Sequence, residues 1–92
     1  MAELTLPETT LTNGVGTISG SVTLRSYNTS RQSIFIQNLG TGTLYVGGSG
    51  VTSGNGIQII TGGDAVLDKS KGAAIYCVGV GTCDVRFLEE IV

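Results

Sequence analysis

Histidine is absent from this 92-residue chain, and with it go the commonest general base and the commonest metal ligand. A Ser-His-Asp or Cys-His catalytic arrangement cannot be assembled within one copy. Charge is scarce as well: Asp, Glu, Lys and Arg make up 13% of residues, about half of the ~25% found in an ordinary globular chain. The basic residues are Arg25, Arg31, Lys69, Lys71 and Arg86, and the formal net charge is −2. Only the two lysines lie close together. Binding to a phosphate backbone through counterion release needs a denser basic patch, so nucleic acid is not an expected partner. Long apolar runs are also missing. Gly72–Thr82, the longest uncharged apolar-rich stretch, is about half of the ~20 residues a membrane helix requires, and no membrane role is expected. The opening Met1–Pro7 carries an early acid and no apolar h-region, which reads as a soluble chain without a secretory signal. The Asn28-Thr29-Ser30 glycosylation pattern then carries no weight.

The familiar ligand motifs fail in specific ways. Gly48-Ser49-Gly50 begins like a dinucleotide fingerprint, but Ser53 stands where the third glycine belongs, and no helix pattern follows. No Gly-Lys-Ser or Gly-Lys-Thr occurs, and no aspartate lies between Gly47 and Ile60 to suggest a calcium nonapeptide. Cys77 and Cys83 have the wrong spacing for zinc and no partners to complete four ligands. They are open to two readings, a cross-strand disulfide or buried thiols, and an intracellular setting favours the thiols. Asp64 and Asp68 flank a strand as turn residues, and Glu89 and Glu90 read as solubilising the C-terminal end. Neither cofactor, metal nor catalytic residues are expected.

What the chain does contain is β signal and glycine. Apolar residues make up 40% of it, enough for one small core, and one domain is all the length allows. Short strand-forming runs occur at Ser21–Arg25, Ser33–Asn38, Thr43–Gly47, Ile57–Thr61, Ala65–Asp68, Ala73–Val78 and Cys83–Glu89. Turn residues separate most of them, which predicts an all-β fold, a compact antiparallel β-sandwich or jelly-roll-like module. Two hairpins are internally consistent. Opposing Ile36 to Leu44 aligns Ile34 with Val46 and places Phe35 opposite Tyr45 on the other face. Opposing Cys77 to Cys83 aligns Ile75 with Val85 and Ala73 with Phe87, with Tyr76 near Asp84 behind them. Gly40, Gly42, Gly79 and Gly81 would then sit where the chain reverses. The run Gly47–Gly54 is longer than a turn needs and reads as a surface loop, mobile alone and ordered by a partner.

Residues 1–20 differ from the rest. Leu4, Leu6, Leu11 and Ile18 are thinly spread among Thr, Asn and Gly, and Pro7, the only proline, disfavours a helix or a central strand. The division predicted is an extended N-terminal arm, 1–20, and a β-sandwich domain, 21–92. Leu4, Leu6 and Leu11 are the arm's candidate contacts with a neighbouring subunit. Tyr45 and Tyr76 are candidate interface residues on a sheet face, and together with Tyr27 they could also line a sugar site.

The stretches IFIQNLGTGTLYVGGSGVTSGNGIQI, GGDAVLD and IYCVGVGTCDVRFLE together resemble small structural proteins of tailed bacteriophages. The shared pattern is a strand ending in Gln-Asn, a Gly-Thr-Gly turn, a Leu-Tyr-Val strand, a Gly-Ser-rich loop, a Gly-Gly segment before a short strand, and a closing β-hairpin ending in Arg-Phe-Leu-Glu. It spans Ser33–Glu89, over half of the chain, and holds no catalytic signature; Cys77 and Cys83 are not part of it. The resemblance implies a virion component assembled in the host cytoplasm. Its leading form is a capsid decoration (cement) protein, a homo-oligomer with a trimer favoured over a dimer, partnered with the major capsid protein. The alternatives are a tail or fibre module binding a host surface glycan, and a non-viral β-domain with a small ligand or hydrolytic function.

Overall fold

A computed structural model describes residues 10–67 and 72–91; Leu4, Leu6 and Asp68 lie outside the described residues. Among the described residues there is no helix, and six strands form one antiparallel sheet. They are β1 (Thr10–Arg25), β2 (Arg31–Asn38), β3 (Thr43–Gly47), β4 (Ile57–Ile59), β5 (Asp64–Leu67) and β6 (Ile75–Ile91). The spine is β6, 17 residues long. β1 runs antiparallel along one of its edges, from Thr10 opposite Ile91 to Arg25 opposite Ile75. Along the other edge β2 covers Val85–Ile91, and β3 then covers Tyr76–Val80. β5 adds to the outside of β2, and β4 to the outside of β3.

Neither expected hairpin forms. β2 and β3 do not pair with each other, so Phe35 and Tyr45 are not cross-strand partners; both strands lie on β6 and point the same way along it. The link between them keeps the ladder going, because the Leu39 N–H donates to the Asp84 carbonyl and the Gly42 N–H to the Thr82 carbonyl, both at 2.8 Å. The second proposed hairpin is the continuous strand β6, with Cys77 and Cys83 on one strand rather than facing each other across two. The reason is parity. Residues 75, 77, 79, 83 and 85 share the buried face, as they would whether the chain reverses at Gly79–Gly81 or bends there and continues.

Bending is what occurs. Gly20 on β1 and Gly81 on β6 have φ of 84° and 83°, a left-handed conformation that costs an L-residue with a side chain about 1–2 kcal/mol. The β1/β6 register also slips between Ile18 and Gly20, where Ser19 of β1 spans Val80, Gly81 and Thr82 of β6, a bulge on β6 that lets the ribbon turn sharply. The two halves of the sheet then face each other. Ile18, Ile34, Ile36, Cys83 and Val85 come from one half, Leu44, Val46, Ile59, Ile75 and Cys77 from the other, and together they form a single buried core. The sandwich expected from the strand pattern is thus one sheet folded on itself, nearly closed into a barrel. Apolar residues of β4 and β5, Ile57 and Leu67, line the cleft where closure stops.

Two polar centres hold this arrangement. Asn38, fully buried, donates through Nδ2 to the carbonyls of Gly42 (2.9 Å) and Ile59 (3.0 Å) and accepts the Gly40 N–H at Oδ1 (3.1 Å). Its backbone bonds to Gly62 and Gly63 in the β4–β5 turn. At the opposite end Arg31, 1% exposed, donates to Glu89 and to the carbonyls of Ala73 and Ser26. Glu89, expected to solubilise the chain end, is completely buried. The other expectation to change is the domain boundary at residue 20. Residues 10–20 are not an arm leaving the domain but the first two thirds of β1, paired with β6 throughout apart from the slip at Ser19. Their glycines and threonines dilute the apolar alternation that marks the other strands.

Candidate functional site

Inward-facing odd residues of β6 leave Asp84, Arg86, Leu88 and Glu90 outside, and strand pairing carries that outer face across the sheet. Leu88 lies opposite Asn13 of β1 and Phe35 of β2, and Phe35 lies opposite Val66 of β5. One row of the sheet therefore reads Asn13, Leu88, Phe35, Val66. Leu11 and Val15 flank it on the same face of β1. All five apolar members of this set are exposed, Val15 to 69%, Leu11 to 65% and Val66 to 59%. A shallow groove of ≈ 560 Å³ crosses the same face between Val15, Phe35 and Leu88. Arg86, paired only loosely with Asp84 at 3.5 Å, and Gln37 form its polar rim.

An exposed cluster of this kind has no role in a lone soluble fold, because its burial elsewhere would be favourable by about 25 cal/mol per Å². β1 forms one border of the face. Its far edge carries no ladder among the described residues, and no charged residue occurs between Thr10 and Leu24. Edge strands in monomeric proteins are usually blunted by charge, proline or a covering segment.

The second surface lies on the other half of the sheet. Tyr45 is opposite Val78, and Tyr76 is opposite Gly47, so the two tyrosines are diagonal neighbours on one outer face. Both are half-buried. Tyr76 shares a small cleft with Ser21, Thr23, Ser49 and Val51. The neighbouring loop carries hydrogen bonds of its own. Asn55 Oδ1 accepts the Thr52 N–H at 2.7 Å, Asn55 Nδ2 donates to the Gly50 carbonyl, and Thr52 Oγ1 accepts the Gly54 N–H. Tyr27, also exposed, lies in the link between β1 and β2. The Asn28 side chain accepts the Ser30 N–H, an ordinary Asx turn.

The chemistry-bearing groups are turned inward. Cys77 and Cys83 are buried and unbonded to each other. Burial, with a smaller contribution from Cys83, pushes the Cys77 thiol up to about 11, and burial raises Cys83 too. Such thiols are protonated and inert at neutral pH. The carboxylate of Glu89 lies between Arg31 (2.6 Å) and Arg25 (2.8 Å), and Arg25 in turn stacks over the Phe87 ring at 4.6 Å. Among the described residues no group of three or more acids and cysteines could hold a metal ion.

Of the residues singled out from sequence, Leu4 and Leu6 lie outside the described set, Leu11 lies on the outer apolar face, and Tyr45 and Tyr76 meet on the other. Sequence reasoning missed Val15, Phe35, Val66 and Leu88. The signal for Leu88 was present, since it alternates with Asp84, Arg86 and Glu90 as the one apolar outward residue in the Asp84–Glu90 part of β6. Comparison with known proteins finds no matching family model and no matching curated protein.

Proposed function

We propose that this chain is a bacteriophage virion structural protein, a capsid decoration (cement) protein that bridges and stabilises shell subunits. The observation that carries the reading is the exposed apolar face of Leu11, Val15, Phe35, Val66 and Leu88 on a rigid, charge-poor sheet. The likeness of Ser33–Glu89 to small phage structural proteins supports it. Each copy buries its apolar face on the major capsid protein at a junction between shell subunits, so separating those subunits must also break the added contact. One such contact is weak. Joining copies into an oligomer makes later contacts intramolecular, and holding strengthens without new chemistry. The test mixes purified protein with empty shells that lack it. Stoichiometric binding and rupture delayed to higher temperature support the proposal; shells that sediment free of the protein reject it.

A tail or fibre module that binds a host surface glycan is the second reading. The specific observation in its favour is the Tyr45–Tyr76 pair beside a polar loop, since aromatic faces with hydroxyl-rich rims suit sugars. Binding on a glycan array by the isolated protein, abolished by Tyr76→Ala, would select this reading over the first.

A further inference from the structure

We infer that β1 is a homodimerisation edge, pairing antiparallel with β1 of a second copy about a two-fold axis so that two sheets become one. The inference rests on the sheet edge alone and not on the capsid reading. β1 is 16 residues long, about three times the usual strand of ~5–6, and only one of its edges is used by the described residues. From Leu11 to Thr23 every residue is exposed except Gly14, which is intermediate, and Ile18, which is buried. Among the described residues, the backbone groups of the free edge meet no lysine, proline or covering segment that would turn away another strand.

Charge selects the occupant. An edge that pairs with itself about a two-fold axis brings every charge it carries to the seam twice, so a run of like charge would repel its own copy. Thr10–Leu24 contains none, and Arg25, just beyond, is turned to the Glu89 carboxylate that it shares with Arg31. The other outer strands differ. β5 begins with Asp64 and is only four residues long, and β4 has three. β1 is thus the one described edge that is both long and free of self-repulsion. Two-fold pairing also doubles every ladder bond, because each copy donates and accepts with the same residues. Leu11 and Val15, the most exposed apolar side chains of the strand, then lie along the seam, where each gains cover from the partner. An isologous edge makes a dimer, not the trimer that the resemblance to phage structural proteins favours.

Sedimentation velocity across the micromolar range tests this, alongside two charge variants. In Asn13→Lys/Thr17→Lys the lysines of the two copies stand directly opposite each other when the two-fold axis lies at Val15, and in neighbouring registers they crowd the same face of the seam. In Asn13→Glu/Val15→Glu the acids stand opposite each other when the axis lies at Gly14 and remain close across the seam in the next registers, with Arg86 opposite Val15 helping the monomer accept them. Circular dichroism and melting temperature establish that both variants fold. The natural chain should sediment as a concentration-dependent dimer, with amides of residues 10–24 more protected from exchange at high concentration. Each variant alone should dimerise roughly tenfold more weakly or worse, and an equimolar mixture should recover a heterodimer. A monomer at every concentration, a trimer, or a dimer indifferent to both variants would overturn the inference.

Discussion

The Nε–H of Arg31 donates to Oε2 of Glu89 at 2.6 Å across 58 residues of sequence, with both side chains buried. This pair, together with Arg25 on the other carboxylate oxygen, joins the start of β2 and the end of β6 to the far end of β1. Arg31 also reaches the Ala73 carbonyl just before β6 begins. Arg31 and Glu89 are neighbours on the β2/β6 ladder. Ladder pairing, however, sets Arg25 and Ala73 at the opposite end of the β1/β6 ribbon from Glu89, so the Arg25–Glu89 and Arg31–Ala73 contacts exist only because the ribbon is folded at Gly20 and Gly81. The ion cluster is the clasp of the barrel.

Loss of one side of that clasp should be severe. Glu89→Gln leaves the Arg31 guanidinium buried without a counter-charge, a loss of about 3–5 kcal/mol, comparable to the whole stability of a marginal small domain. Replacing both partners by apolar residues, Arg31→Met with Glu89→Leu, should cost clearly less than the two single changes added together. Urea unfolding of the four proteins gives the coupling, and strict additivity would show that the pair does not act as a unit.

Asn38 joins segments that no strand ladder connects. Asn38→Ala strips donors from the buried carbonyls of Gly42 and Ile59 and the acceptor from Gly40, at about 1–3 kcal/mol for each group left unsatisfied. A net loss of about 2–4 kcal/mol is expected, with faster hydrogen exchange at the Gly40 amide ahead of the β6 amides.

Much of this fold is legible in the alternation of side chains. Pairing the sequence into hairpins assigns Ile34, Ile36, Leu44, Val46, Cys77, Cys83 and Val85 to apolar faces, and all seven are core residues. The faces are right although the hairpins are wrong, because a period of two fixes orientation and says nothing about whether a glycine pair reverses the chain or bends it. Strand β1 stays hidden in the sequence because Ile18 is the one buried apolar residue between Leu11 and Gly20, with glycine at 14, 16 and 20 where the other strands alternate apolar residues. At Gly14 the space a side chain would occupy is filled by the Phe87 ring, a long-range contact that no local pattern reveals. The burial of Glu89 escapes a local reading for the same reason, since its partner lies 58 residues away. The outer apolar face requires the pairing of β1, β2 and β5 around β6 before its members become neighbours.

The thiols give a pH signature. Burial raises the Cys77 pKa from 9.0 to about 11 in the folded chain, so folding favours the protonated thiol. That contribution is complete below pH 9 and is lost as pH rises from about 9 to 11, because the unfolded chain releases the proton first. Stability should fall over that window by roughly 2–3 kcal/mol more than in Cys77→Ala, which starts lower but lacks the thiol. Equal pH slopes for the two proteins would remove the thiol from the account. At neutral pH a thiol reagent should label neither cysteine until denaturant is added.

The bend glycines should resist substitution in a way their exposure does not suggest. Gly81 lies at φ 83°, and a Cβ at this position would stand 3.1 Å from Gly42 Cα. Gly81→Ala should cost about 1–2 kcal/mol from backbone conformation alone. Gly16→Ala, with ordinary φ and open space around it, should be close to neutral. Thermal unfolding of the pair compares them directly, and equal losses would mean that the bend is not strained at Gly81.

Separating attachment from folding is possible because the outer face contributes little to the core. Phe35 and Leu88 are exposed to 37% and 41% and point away from Ile34, Ile36 and Val85. Phe35→Ser and Leu88→Ser should each leave the unfolding midpoint nearly unchanged, with a shift of about 1 kcal/mol or less. If this face meets the shell, however, each removes apolar area from the centre of the contact, where truncation of a large side chain costs about 2 kcal/mol or more. Binding to empty shells should therefore weaken by roughly thirtyfold, while Tyr45→Ala on the other face leaves it intact. The converse pattern, with Phe35→Ser and Leu88→Ser silent and Tyr45→Ala or Tyr76→Ala disabling, would move the binding surface to the tyrosine face and with it the balance toward a glycan ligand.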